Sequence, residues 1–429
     1  LGRVKNKVPM IKIILISILA ISLSNSLQSE TIRVSTNGDY NSIGKAIEAS
    51  KGSDTILVSY GTYVESEMLI DKQIVIIGEN YPRIKSKDGK KIFTITADSV
   101  TITKMELSDL ERSFVEDRAA IDIDGGDYIN IIDNKFNNTF FGIYLAKSKG
   151  SVINDNVLKS NAVKEMNSAN AIHAWYCKEM TIKNNSVSGH RDGLYFEFCD
   201  NSVIENNHSK GNLRYGLHFM FSNHNEYRNN TFEENGAGVA VMYSDNIEMV
   251  ENKFVNNWGP SSFGLLLKEI KDSKIHNNLF LGNTKAIYGE SAIRINIHNN
   301  DFIKNGWAMQ MMSSSELDTI TYNNFISNTF NISTNQNARN YNLYENNYWS
   351  DYSGYDLDND GIGDVPHRPV KFFSQVLGYT PEAIILLRSF FIELLNFIEN
   401  IVPVLTPDNL KDVKPMVKKI DNDSVPRHI

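Results

Sequence analysis

Residues 192 to 238 read DGLYFEFCDNSVIENNHSKGNLRYGLHFMFSNHNEYRNNTFEENGAG, and two passes through one pattern are visible in them. Each pass opens on a small residue and an alternating strand, GLYFEF then GLHFMF, and reaches an asparagine pair with a second short strand, NNHS then NNTF. The asparagine signal continues outward in both directions, as DNKF, DNVL and NNSV upstream and as ENKF, NNLF, NNDF, NNF and NNYW downstream. Its anchors are Asn134, Asn156, Asn185, Asn207, Asn230, Asn252, Asn278, Asn300, Asn323 and Asn347, in steps of 22, 29, 22, 23, 22, 26, 22, 23 and 24 residues. One step is one coil of a right-handed parallel β-helix. A coil this small cannot bury its own apolar face, so the fold exists only as a stack, with strands about 4.8 Å apart. The steps predict about ten to thirteen coils, asparagine ladders of the kind amide side chains make in cross-β stacks, and insertions where the step lengthens to 29 and 26.

The chain has 429 residues and a net charge of -8, with no basic concentration along the repeats, which argues against nucleic acid as a partner. Residues 1–29, with a possible start at Met10, carry a lysine, an apolar run from Ile13 to Leu23 and small residues Ser24 and Ser26, the order of a secretory signal. Residues 30–350 are read as the solenoid, 351–370 as an acidic metal-loop-like motif, and 371–429 as a C-terminal apolar helix and an extended tail. Near the start, DYNSIGKAIEAS supplies a short amphipathic helix, with Ile43, Ala46 and Ile47 on one face, suited to covering the open first coil.

Period-two alternation assigns Ile143, Leu145, Leu194, Phe196, Phe198, Leu217, Phe219, Phe221, Val239 and Val241 to the core. The residues between them point outward, and that outer face carries His173, Glu197, His218, Met220 and Met242 on neighbouring coils. Imidazole and thioether donors suit copper, above all the cuprous ion, better than calcium or magnesium. His224 follows in the turn. The bland alternative is that this face packs against a loop or a partner protein. Cys177 and Cys199, 22 residues apart, fall in one column of adjacent coils, as a stacked pair or a disulfide.

After the last coil, Asp356, Asp358, Asp360 and Asp364, with Gly361 at the sharp turn, match positions 1, 3, 5 and 9 of a calcium loop. The expected glutamate at position 12 is His367, so Ca²⁺ binding competes with an acidic turn satisfied by backbone N–H groups. Residues 381–402 read as one amphipathic helix, either capping the last coil or docking on a partner through Ile384, Leu387, Phe391 and Leu395.

With NYWSDYSGYDLDNDGIGDVPHRP, Asn347 to Pro369, followed by an apolar helix and preceded by these coils, the chain resembles the NosD family of accessory proteins for nitrous-oxide reductase. The resemblance implies a periplasmic β-helix docked on an ABC complex of ATPase and permease subunits. With a copper chaperone, that assembly supports formation of the copper–sulfur centre of the reductase, and the β-helix protein is not itself a catalyst. The matched motif lies away from the outer face, so the outward His and Met residues rest on register and ligand chemistry alone. The rival reading is a β-helix polysaccharide lyase or epimerase, or a carbohydrate-binding protein, with Trp175, Tyr195, Glu197 and Lys268 as stacking and acid–base groups. Against it, no arginine occupies the outward positions.

Overall fold

The computed structural model describes residues 29–113, 115–312, 314–334, 341–401 and 410–422. The signal segment, Pro403 and Pro407 lie outside them. Three parallel sheets of 14, 12 and 13 strands form the faces of a right-handed parallel β-helix. The stack exceeds the ten to thirteen coils predicted, because residues 31–95 supply coils that lack the asparagine signal yet pair in the same register, as Thr55 with Val75 and Thr101 do. The helix Ile43–Ala49 covers the first coil with Ile43, Ala46 and Ile47 buried. Its start is fixed by Ser42, whose hydroxyl accepts from the Lys45 amide, and by Glu65, whose carboxylate accepts from the amides of Ile43 and Gly44.

The asparagine pair has a division of labour. The residue before each anchor, from Asp133 to Asn346, takes a left-handed φ of 52° to 58° and turns the corner, a conformation asparagine and aspartate tolerate best. The anchor itself points inside. Asn230 is representative: its amide N–H and its Nδ2 both donate to Asn252 Oδ1 at 2.9 and 3.0 Å, and Nδ2 also reaches the Ile204 carbonyl at 2.8 Å. Every anchor repeats this toward the next coil, so the ladder is polar and would end on unmet donors.

It ends on Asp412. That carboxylate is fully buried and accepts from the Asn347 amide, Asn347 Nδ2 and Trp349 Nε1 at 3.0, 3.1 and 3.0 Å. The tail is therefore a plug rather than the extended segment expected: Met416 bridges Tyr348 and Ile362, and Ile420 exchanges two hydrogen bonds with the Asn324 side chain. A second ladder, Asn212, Asn235, Asn257, Asn283, Asn305 and Asn328, runs along another corner. It explains the small residue that opens each strand, since a Cβ on Gly216 would lie 2.7 Å from both Asn235 Nδ2 and the Gly238 carbonyl. Stacked aromatic rings fill the core beside the ladders, as Phe254, Phe280, Phe302, Phe325 and Trp349 do at 4.1 to 4.9 Å.

One acidic side chain, Asp318, is buried in an inward column between Ile295 and Asn342, whose Oδ1 accepts from the Asp318 amide. Burial pushes the Asp318 carboxyl up to about 7, outweighing the Ile295 amide that bonds Oδ1, and Glu316 nearby adds to the rise. Because the folded state then holds its proton more tightly than the unfolded chain, stability is full below pH 4 and falls as pH rises through 7. Asp318→Asn is expected to remove that decline and raise the unfolding midpoint at pH 8, read by urea titrations from pH 4 to 8.

The single helix predicted over 381–402 is broken into a 3₁₀ segment Pro381–Leu386 and the helix Phe390–Ile401, and a further helix, Phe372–Tyr379, precedes it. Pro381 disfavours a helical Thr380, which sits at φ -136°, ψ 80°, and Ser389 accepts from the Ile392 and Glu393 amides to restart the chain. Ile392, Phe373 and Leu377 pack on Phe330 of the last coil.

Candidate functional site

The outer face of the 12-stranded sheet holds two columns. Tyr144, His173, Tyr195, His218 and Ala240 follow one another in register in the first, and Trp175, Glu197, Met220, Met242 and Lys268 in the second. The two histidines are thus not neighbours. Tyr195 stands between them, its ring centroid 4.6 Å from His173 and 5.0 Å from His218, which keeps the imidazoles roughly 9–10 Å apart. His173 is also occupied elsewhere, stacked on Tyr144 at 4.6 Å with Nδ1 3.0 Å from Asn170 Nδ2. His173 does not join the shared site expected of it.

His218 is different. It is 6% exposed, and neither ring nitrogen has a hydrogen-bond partner. Burial drives its pKa down to about 4 and that of His173 to about 3, so both imidazoles are neutral at neutral pH, and His218 has both nitrogens free to act as ligands. Beside His218 the Tyr195 hydroxyl lies 3.7 Å from Met220 Sδ and 3.4 Å from Glu197 Oε2. Burial, with Glu197 close by, pushes that phenol up to about 12. Glu197, Met220 and Met242 are vertical neighbours, so the structure gathers one imidazole, two thioethers and one carboxylate along three coils.

No arginine occupies the outward strand positions, yet two flank this face. Arg191 and Arg214 sit one coil apart just before their strands, and Arg214 clamps the fully buried Asp192 through Nε and Nη2 at 2.8 and 2.5 Å. Arg191 donates to Asn170 Oδ1 at 3.0 Å, while its Nε has no partner and lies 3.8 Å from Asp192. Arg214 also covers the Tyr215 ring. The repeated Arg-x-Gly at 191 and 214 carried this signal in the sequence, two residues ahead of the glycine from which the strands were aligned.

At the far end of each strand the assignment of Phe198 and Phe221 to the core fails. Both take left-handed φ values, 55° and 50°, which break the alternation and turn the rings outward into a stack with Tyr176 and Tyr243 at 4.5 to 5.2 Å; Phe221 is 39% exposed. Cys177 and Cys199 follow this corner as free, buried thiols, each donating to backbone carbonyls, and burial raises the Cys199 thiol far above its ordinary range. His224 is exposed in its turn.

In the acidic loop Asp356, Asp358 and Asp360 offer oxygens within 4.8 Å of one another, the one such trio of His, Cys, Asp or Glu among the described residues. Asp364 stands apart and accepts from the Leu357 amide at 2.8 Å. Asp356, Asp358 and Asp360 also accept backbone amides, from Gly361, Asp360 and Ile362. His367, at the twelfth position, is buried against Trp349 and Tyr352 and cannot complete a calcium loop. The docking stripe divides as well, because the break in the helix rotates its two parts. Leu387 and Leu395 pack inward, whereas Ile384 and Phe391 are 48% and 59% exposed, next to Ile385 and Phe390. No helix among the described residues is long and apolar enough to cross a membrane.

Known proteins share both the fold and the sequence pattern. A family model described as periplasmic copper-binding protein (NosD) matches residues 160–354, the coils that hold the outer face through to the closing motif. A probable ABC transporter binding protein NosD of Pseudomonas aeruginosa is 26% identical over 368 residues, covering 82% of this chain and 85% of that one. The chain is similar to the NosD family in these coils and in the closing motif. A second NosD relative, from Stutzerimonas stutzeri, is 26% identical over 196 residues, 42% of this chain and 44% of its own. Among solved structures, the Streptococcus pneumoniae surface adhesin PfbA aligns with a TM-score of 0.53 at 12% identity, covering 76% of this chain and 94% of that one. The A-module of an Azotobacter vinelandii mannuronan C-5 epimerase aligns with a TM-score of 0.51 at 13% identity, covering 70% and 91%. These two share the β-helix with the NosD family; at such identity they carry no chemistry across.

Proposed function

We propose that this chain is a periplasmic accessory protein that receives copper as cargo on its outer face and supports assembly of the copper–sulfur centre of nitrous-oxide reductase. The observation that carries the reading is His218, a buried imidazole with two unpartnered nitrogens, standing two residues from Met220 and beside the Met220–Met242 pair. Neutral imidazole and thioether donors fit cuprous copper, and Glu197 supplies a further oxygen. His173 keeps Tyr195 in place from the other side and stays outside the donor set. The copper chaperone and the reductase are the partners expected at this face. The membrane ABC permease and ATPase complex is the partner expected at the C-terminal end, where Ile384 and Phe391 present apolar surface.

Cu(I) competition titrations test this. His218→Ala, Met220→Ala and Met242→Ala are each expected to weaken cuprous affinity by about tenfold or more, whereas His173→Ala leaves it near that of the parent; even outer partners of metal ligands carry effects of that size. Equal affinity in all four variants would remove copper from this face.

A second reading, binding of an acidic saccharide, is favoured by Arg191 and Arg214 beside Tyr195, Tyr215 and His218. Guanidinium forks match carboxylates. Binding of an oligouronate but not a neutral glucan, lost in Arg191→Ala, would favour it over copper handling.

A further inference from the structure

The outer face of the 12-stranded sheet continues past His218 toward the C-terminal end, and two polar groups there have nothing to satisfy them. Lys285 opens its strand beside the rings of Phe263 and Tyr288, with Nζ 5.2 and 5.0 Å from their centroids, and among the described residues no carboxylate pairs with that ammonium. The other cations of this face, Arg191, Arg214 and Lys268, do reach acids, Asp192 for the two arginines and Glu290 for the lysine. Gln310 follows Tyr288 in register, and its Oε1 is buried with no donor. Trp307 follows Lys285 and stacks at 5.2 Å on Phe330, where the C-terminal helices pack. From this juxtaposition of an unmatched cation and an unmatched acceptor, we propose that Lys285 and Gln310 form the recognition point for an acidic peptide segment of a protein partner.

A half-buried ammonium has lost water on the side that meets protein, and the two rings offset only part of that loss. Burial pulls the Lys285 pKa below the ordinary lysine value, with no acid to oppose the fall. A carboxylate set on Nζ supplies the missing counter-charge in a place where water screens it poorly. An Asp or Glu side chain brings that group, and a backbone N–H beside it is the donor that Gln310 Oε1 lacks, so one peptide carries both. The walls fit the same guest. Phe263 and Tyr288 are tilted at 47° with centroids 5.1 Å apart, which offers edges and a crevice to an apolar side chain rather than one flat plate to a sugar ring. Phe263 stands here because the 26-residue step inserts a loop before it, on which Trp258 is 64% exposed. The surface lies three coils beyond His218, about 14 Å along the axis, and takes no part in the copper donor set.

The test uses the full chain and a random dodecapeptide library displayed on phage. Selected peptides are expected to carry Asp or Glu beside an aliphatic or aromatic residue. Synthetic copies should bind Lys285→Arg within about twofold of the parent and Lys285→Met at least about tenfold more weakly, the loss that follows when one partner of a charge pair is removed. Lys285→Met keeps the apolar stem and removes only an unmatched charge, so it should melt no lower than the parent and leave the binding loss readable. Binding should also raise the Lys285 pKa, read by nuclear magnetic resonance on isotope-labelled lysine methyl groups, a change that a merely structural lysine would not show. Selected peptides without acidic residues, no selected peptides at all, or acidic peptides that bind Lys285→Met like the parent would overturn the proposal. So would Lys285-dependent binding of oligogalacturonate in place of any peptide, which would make the guest a saccharide. Lys285→Met is expected to leave the Cu⁺ titrations unchanged, so this proposal and the copper reading can each fail alone.

Discussion

Asp412→Ala is expected to cost this protein on the order of 4 kcal/mol and to open its last coils. The substitution strands three buried donors, the Asn347 amide, Asn347 Nδ2 and Trp349 Nε1, which share one carboxylate oxygen. Each unmet buried group costs about 1–3 kcal/mol. The loss should appear as a lower urea midpoint, and hydrogen exchange should speed up at Asn347 and Tyr348 before it does at Asn230. Trp349, 1% exposed in the parent, provides a second readout through its fluorescence. Asp412→Asn keeps an acceptor oxygen and should lose less than half as much. If the two variants unfold alike, charge and not the ladder terminus holds the plug.

The second large effect lies at the outer face. Arg214→Ala leaves Asp192, with no exposed surface, facing only Arg191 at 3.8 Å and the Tyr215 amide at 3.3 Å. Removing one partner of a buried ion pair costs about 3–5 kcal/mol, because the remaining charge has neither water nor a counter-ion. Arg191 offsets part of this, so a loss near 3 kcal/mol is expected from thermal and urea unfolding. The double variant Asp192→Asn, Arg214→Met should regain most of it. Should Arg214→Ala prove neutral, Asp192 is already satisfied by Arg191.

The solenoid was legible in the sequence because its signal is repeated and each repeat is strict: the anchor asparagine has one geometry that satisfies its amide, and only a fixed coil length delivers it. The Asn212 to Asn328 ladder was equally periodic, three residues after an aromatic in segments such as TFEEN and KFVNN, but lay outside the frame set on the first asparagines. The core assignments of Phe198 and Phe221 failed because alternation holds only while φ stays negative, and left-handed corners at bulky residues leave no compositional mark. Arg191 and Arg214 escaped for a related reason, since they precede the strand and fold back over its face. At the outer face, register placed His218, Met220 and Met242 together. It also showed Tyr195 between His173 and His218, a separation that a list of outward residues conceals.

The one-way ladder also sets an order of events for a chain that emerges from its N-terminus. Each coil completes its hydrogen bonds only when its successor arrives, and the final acceptor comes 65 residues after the last asparagine. Until the segment bearing Asp412 appears, the growing end is an open template able to recruit any strand in reach. Closure therefore certifies that synthesis has run past the acidic loop and both helices, and the C-terminal end and the His218 face become one rigid rod in the same step.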